Sequence, residues 1–213
     1  MKDRSPASFV SFEGIDGCGK STLLAHLSAW LEELGVIHIK TREPGGTRLG
    51  ETLRDVLLDS SFSEMHPWTE ILLYAASRAQ HVKEVIRPAL ERGVWVLSDR
   101  YADATLAYQG YGRGLDLGRL HRIHEWTTDG LWPDVTVLLD CDVAKAFERR
   151  KNRSGASDRV ELQNESFHER VRAGYLELAA AAPHRFIVLD GGRPLVEVVQ
   201  EFRNLFRHRL DAC

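Results

Sequence analysis

Phe9-Val10-Ser11-Phe12-Glu13-Gly14-Ile15-Asp16-Gly17-Cys18-Gly19-Lys20-Ser21-Thr22 is the stretch on which the reading of this chain turns. From Gly14 onward it matches the phosphate-loop pattern G-x-x-x-x-G-K-S/T. The apolar run Phe9–Phe12 before it reads as a short strand. After it, Leu23, Leu24, Leu27, Trp30, Leu31 and Leu34 recur at steps of three and four, an apolar helical stripe that stops at Gly35. A glycine-rich turn can match the pattern by chance, but here strand, loop and helix agree. Gly14, Gly17 and Gly19 let the backbone curl until successive N–H groups face phosphate oxygens, where a β-carbon would collide. Lys20 then reaches the β and γ phosphates and Ser21 offers a hydroxyl to Mg²⁺. The helix N-terminus adds its dipole to the anion site. Gly14, Ile15, Asp16, Gly17, Cys18, Gly19, Lys20, Ser21 and Thr22 are thus the expected nucleotide cradle.

The 213 residues, 43% hydrophobic and 28% charged, can bury one substantial core, most simply as a single domain. A net charge of −3 and a pI near 6.3 argue against a nucleic-acid or anionic-membrane surface. Small anionic ligands held at one site fit better. Cys18, Cys141 and Cys213 are too far apart for a zinc pattern and odd in number, so the expected compartment is a reducing cytoplasm. No apolar segment has the length of a signal or a membrane span.

Five apolar runs of strand length alternate with helical patterns: Phe9–Phe12, Val36–Lys40, Val94–Ser98, Val135–Asp140 and Phe186–Leu189. The clearest helical periods lie at Lys20–Leu34, Trp68–Arg92, Ser166–Ala182 and Leu195–Leu210. Such alternation predicts a parallel sheet covered by helices on both faces, with ligands beyond the carboxyl ends of the strands. The residues after each strand therefore carry the chemistry. After the second comes Thr41-Arg42-Glu43-Pro44-Gly45-Gly46-Thr47, a sharp loop at the ligand edge. After the third comes Asp99-Arg100-Tyr101. Asp99 can hold the hydration shell of Mg²⁺ and Arg100 offers a fork to a phosphate; a strand-end salt bridge is the plainer alternative for such a pair. Arg149, Arg150, Lys151 and Arg153 put four cations in five positions, followed by a polar stretch to Arg159. Most charge runs are solvated faces; next to a nucleotide site this one has the makings of a mobile lid.

The segment Phe12–Thr22, T-R-E-P-G-G-T at Thr41–Thr47, D-R-Y at Asp99–Tyr101, A-Y-Q-G at Ala107–Gly110 and D-R at Asp158–Arg159 together closely resemble bacterial thymidylate kinases, in family order and spacing from Phe9 to about Leu189. The resemblance implies an α/β fold, the three-layer α/β/α P-loop nucleoside monophosphate kinase type with a five-stranded parallel sheet, forming one kinase domain over 1–213 with a lid at about 149–160. It implies transfer of the γ-phosphoryl group of ATP to dTMP with Mg²⁺, and a homodimer. By motif, Tyr74 matches the aromatic that stacks on thymine, usually phenylalanine, and Arg78 the arginine at its carbonyl edge. Thr105 and Gln109 match positions near the base, and Tyr108 the tyrosine near the deoxyribose. Arg54 and Arg100 match arginines around the monophosphate, and Asp16 a carboxylate near sugar and metal; Ser21 and Asp99 are the implied metal residues. Some members carry an extra catalytic arginine in the phosphate loop, where this chain has Gly17. Others place it in the lid, which makes Arg149 and Arg153 the candidates beside Lys20 and Arg100, with Lys151 behind them.

Two other readings share the phosphate loop. Another nucleoside monophosphate or deoxynucleoside kinase would differ in its acceptor pocket. A GTP-binding switch would carry an N-K-x-D guanine-reading segment, which this chain lacks.

Overall fold

A computed structural model describes residues 7–151 and 158–211. Five parallel strands, β1 (Phe9–Glu13), β2 (His38–Arg42), β3 (Trp95–Asp99), β4 (Val135–Asp140) and β5 (Phe186–Asp190), lie in the order β2-β3-β1-β4-β5. This is the expected sheet. The strand after the phosphate loop's own is laid two places away and the fourth on β1's other side, so the chain reverses direction at the end of β1. A crevice opens at such a reversal. β1 is buried along its whole length, which is why its sequence is a continuous run with no polar face exposed. Register then does the positioning. Phe12 pairs with Asp99, and Asp99 with Arg42, so three strands release their loops from one rung.

Helices cover both faces: α1 (Lys20–Glu33), α2 (Arg48–Leu58), α3 (Pro67–His81), α4 (Arg87–Glu91), α5 (Ala102–Thr105), α6 (Leu117–Thr128), α7 (Val143–Lys151), α8 (Glu165–Ala181) and α9 (Leu195–Asp211). On one face Phe12, Trp30, Trp95, Phe202 and Phe206 form an aromatic core; on the other Phe9 meets Tyr101 edge to face at 4.8 Å and packs with Val82, Ile86 and Val96. Thr47 caps α2 by accepting from the Gly50 N–H, and Asn164 caps α8 through the Phe167 N–H.

Two local differences from the sequence reading have physical causes. β2 starts at His38, because Val36 is still engaged in stopping α1: its N–H donates to the Leu31 carbonyl across the left-handed Gly35. The helical period over Trp68–Arg92 is not one α-helix. It widens into a π turn at Val82–Ile86 between α3 and α4, where Pro88 has no N–H for the Glu84 carbonyl and in a continuous α-helix its ring would clash with that carbonyl. A second π turn, Leu106–Gly112, carries Tyr108 and Gln109.

Candidate active site

The loop from Gly14 to Gly19 leaves β1 and turns under the start of α1. All three of its glycines have positive φ, 132°, 92° and 107°. A β-carbon on Gly14 would lie 2.5 Å from the Leu139 carbonyl oxygen, and one on Gly17 2.4 Å from that of Ala146, so space as well as φ demands glycine. Lys20 is buried, with Nζ donating to the Ile15 carbonyl at 3.0 Å and lying 3.7 Å from Asp16. Ser21 Oγ donates to Asp99 Oδ2 at 2.7 Å. The sequence distance of 78 residues closes because β1 and β3 are neighbours. A hydroxyl and a carboxylate in contact form a hard oxygen donor set, and among the described residues no cluster of three or more His, Cys, Asp or Glu surrounds them. Such a pair fits Mg²⁺, which keeps water and phosphate oxygens for its remaining positions.

Arg100 is the hub. It adopts left-handed backbone, φ 71°, at a cost of about 1–2 kcal/mol for a residue with a β-carbon. Its side-chain bonds offset that. Nη1 donates to the Gly14 carbonyl at 3.0 Å and to Tyr175 Oη at 3.1 Å, and Nη2 to Asp16 at 2.6 Å and to Tyr108 Oη at 3.0 Å. Tyr108 Oη in turn donates to the other Asp16 oxygen at 3.1 Å. Burial opposes charge on Asp16, yet Arg100 and then Lys20 hold its carboxyl far below the usual range. Behind the hub, Glu13 is fully buried and accepts from the Tyr101 N–H at 2.7 Å and Tyr175 Oη at 2.8 Å. Burial, and then Asp103, push its pKa up to about 8.

Two cavities adjoin here. The larger runs over the phosphate loop, past Ser21 and Asp99 to Arg149, Gly191 and Arg193. The other is lined by Tyr74, Arg78, Thr105, Tyr108 and Gln109. Asp16, Arg54 and Arg100 border both. Arg54 is steadied by donating to the Pro44 carbonyl at 3.0 Å. Arg78 is buried; Nε donates to Glu43 at 2.7 Å and Nη2 to Thr105 Oγ1 at 2.9 Å. Glu43 also takes His81 Nδ1 at 2.9 Å. Burial disfavours its charge, but Arg78 and His81 outweigh that and keep it ionised. Gln109 Nε2 donates to the buried Glu70 at 2.8 Å, beside Arg113 and Arg159. Burial raises the pKa of the Tyr74 phenol, whose hydroxyl has no hydrogen-bond partner among the described residues.

Of the lid candidates, Arg149 Nη1 donates to the Gly191 carbonyl at 2.9 Å and the Cys18 carbonyl at 3.4 Å. It thus joins α7 to the phosphate loop and to the turn after β5. Arg153 lies outside the described residues. Arg150, which the sequence reading did not single out, stacks on Phe147 at 4.1 Å with its Cγ against Gly17.

A phosphate loop facing a second, aromatic-lined cavity across shared arginines is an arrangement for two anionic ligands. The thymidylate kinase family model matches residues 12–202. The chain belongs to the thymidylate kinase family. It is 53% identical over 197 residues to thymidylate kinase of Deinococcus radiodurans, covering 92% of this chain and 95% of that protein. It is 48% identical over 202 residues to that of Oleidesulfovibrio alaskensis, with 92% and 95% covered, and 49% identical over 198 residues to that of Leifsonia xyli, with 93% of each covered. Within this thymidylate kinase frame, the motif residues Asp16, Arg54, Tyr74, Arg78, Arg100, Thr105, Tyr108 and Gln109 all line the one cavity. Sequence reasoning missed the carboxylates that hold the arginines and the amide. Glu43 stood within a quoted motif and so did Glu13; Glu70 gave no signal, because a lone acid in a helical period reads as surface.

Proposed function

We propose that this chain is a dTMP kinase: it transfers the γ-phosphoryl group of ATP to dTMP, giving dTDP and ADP. The observation that carries the reading is the shared wall. Asp16, Arg54 and Arg100 face the phosphate loop on one side and the cavity of Tyr74, Arg78 and Gln109 on the other. A phosphoryl group has to cross only that wall.

The glycine-rich loop and Lys20 bind the β and γ phosphates, and Ser21 and Asp99 would hold Mg²⁺, which would supply charge neutralisation on the donor phosphates. Tyr74 covers one face of thymine. Arg54 and Arg100 grip the acceptor phosphate and orient its oxygen toward the γ-phosphorus, while Tyr108, tied to Asp16 and Arg100, closes the side next to the deoxyribose. The acceptor oxygen is already ionised, so no general base is needed and catalysis lies in alignment and charge neutralisation. Arg149 and Arg153 bring cations from the lid toward the transferring group. We read the chain as one kinase domain over 1–213 with its lid at about 149–160. Cytoplasmic residence is the natural setting, with Cys18 and Cys141 free thiols; among the described residues no helix is long and apolar enough to cross a membrane. The exposed Leu72 and Trp126, on α3 and α6, support a homodimer, to be checked by mass in solution.

The test is acceptor dependence. Purified protein with ATP and Mg²⁺ is expected to release ADP only when dTMP is added, with one dTDP per ADP, and to stop on chelation of the metal. Tight retention of GTP with no acceptor-dependent transfer would instead favour a switch protein.

A further inference from the structure

We propose that Glu70 decides which pyrimidine the acceptor cavity takes, by fixing the side-chain amide of Gln109 so that its carbonyl, not its amino group, faces the base. The inference rests on the reading of that cavity as the acceptor-nucleotide site. Glu70, in the first turn of α3, is completely buried. Gln109 Nε2 donates to its Oε1 at 2.8 Å; Arg113 donates to both oxygens at 2.8 and 2.9 Å, and Arg159 Nη2 lies 2.5 Å from Oε2. Burial works against charge on Glu70, but Arg113 and its other donors hold the carboxyl below the usual range. An ionised carboxylate only accepts. Gln109 must therefore turn its amino group to Glu70, since the flipped amide would set two acceptors against each other in a buried site.

That leaves Gln109 Oε1 as the group available to a ligand, and among the described residues nothing donates to it. Across the cavity, Arg78 commits Nε to Glu43 and Nη2 to Thr105 and the Tyr101 carbonyl, while its Nη1 has no partner among the described residues. The cavity thus presents one fixed acceptor and one spare donor. An imide edge, a ring N–H beside a carbonyl as in thymine and uracil, meets both. Cytosine has the same ring size with the edge reversed, an acceptor nitrogen beside an amino group, and would leave both protein groups opposed. Glu70 touches no substrate; it is a positioning residue.

The experiment is Glu70→Gln in the full chain, with kcat/KM measured for dTMP, dUMP and dCMP. A glutamine at 70 carries an amino group that can donate to Gln109 Oε1 and let the amide turn. The expected result is that kcat/KM for dCMP rises while that for dTMP falls, lowering the dTMP to dCMP ratio ~10-fold or more, with dUMP following dTMP. Loss of structure alone cannot raise the dCMP value. A proportional loss on all three acceptors, or an unchanged ratio, overturns the role of Glu70. A wild-type enzyme that prefers dCMP overturns the dTMP reading itself. Where the variant does not fold, the side-chain NH₂ of Gln109 in ¹⁵N-labelled wild type, assigned by its loss in Gln109→Ala, gives the answer. Hydrogen exchange ~10-fold or more slower than at exposed glutamines is expected for protons buried on a carboxylate; exchange as fast as theirs overturns the proposal.

Discussion

Gly17 and Glu13 show how single residues set this site. Gly17 sits at φ 92° with the Ala146 carbonyl 2.4 Å from where a β-carbon would be. The space beside Gly17 that a side chain would enter is held by the backbone of α7 and the stem of Arg150. Gly17→Ala is expected to destabilise the fold by ~1–3 kcal/mol and to raise the KM for ATP, as read from thermal melts and donor kinetics. Glu13 predicts a pH effect. Its folded pKa, pushed up to about 8, lies above its unfolded value near 4.5. Between those values the folded chain retains a proton the unfolded chain has lost, so stability must fall as pH rises through the window. The groups that face it are Asp103, which adds to the shift and is itself paired with Arg185, and Arg100, Tyr101 and Tyr175, which oppose it. Glu13→Gln is expected to flatten the decline in melting temperature from pH 5 to pH 8. An equally steep decline in the variant would contradict the buried proton.

Among the elements, the base of the lid carries the sharpest expectation. Arg149 reaches back from α7 to the carbonyls of Cys18 and Gly191, and so ties the base of the proposed lid to the phosphate loop. Arg149→Ala and Arg153→Ala are each expected to lower kcat by ~10²-fold or more while changing the KM for dTMP little, as befits cations acting on the transferring group. Full turnover in both variants would remove the lid from the mechanism. The elements were unequally legible in sequence. The phosphate loop could be read outright because each glycine answers a local steric demand, and β1, β3 and β4 because they are buried along nearly their whole length. α3 to α4 read as one helix because apolar period does not register the π turn that Pro88 imposes. Glu43 reads as standing at the ligand edge, and it lines both cavities, but its inward turn to Arg78 and His81 is not legible in sequence. Which cation a buried acid meets depends on contacts 35 and 38 residues apart, and no local pattern encodes those.

At the scale of the whole molecule, strand order does the work that no single motif could. Because β1 lies between β3 and β4, Asp99 reaches Ser21, Arg100 reaches the Gly14 carbonyl, and the phosphate loop abuts the cavity of Tyr74 and Arg78. The same topology explains why short motifs scattered from Gly14 to Arg159 were informative together and weak apart: each begins at the carboxyl edge of the sheet or packs onto it. The central claim is the identity of the acceptor, and a steady-state comparison of dTMP, dUMP, dCMP, GMP and thymidine as acceptors of the ATP γ-phosphoryl group tests it most directly. The highest kcat/KM is predicted for dTMP, with dCMP and GMP far below it and thymidine without detectable phosphorylation. Preferred phosphorylation of thymidine, or of any other monophosphate over dTMP, would contradict the account.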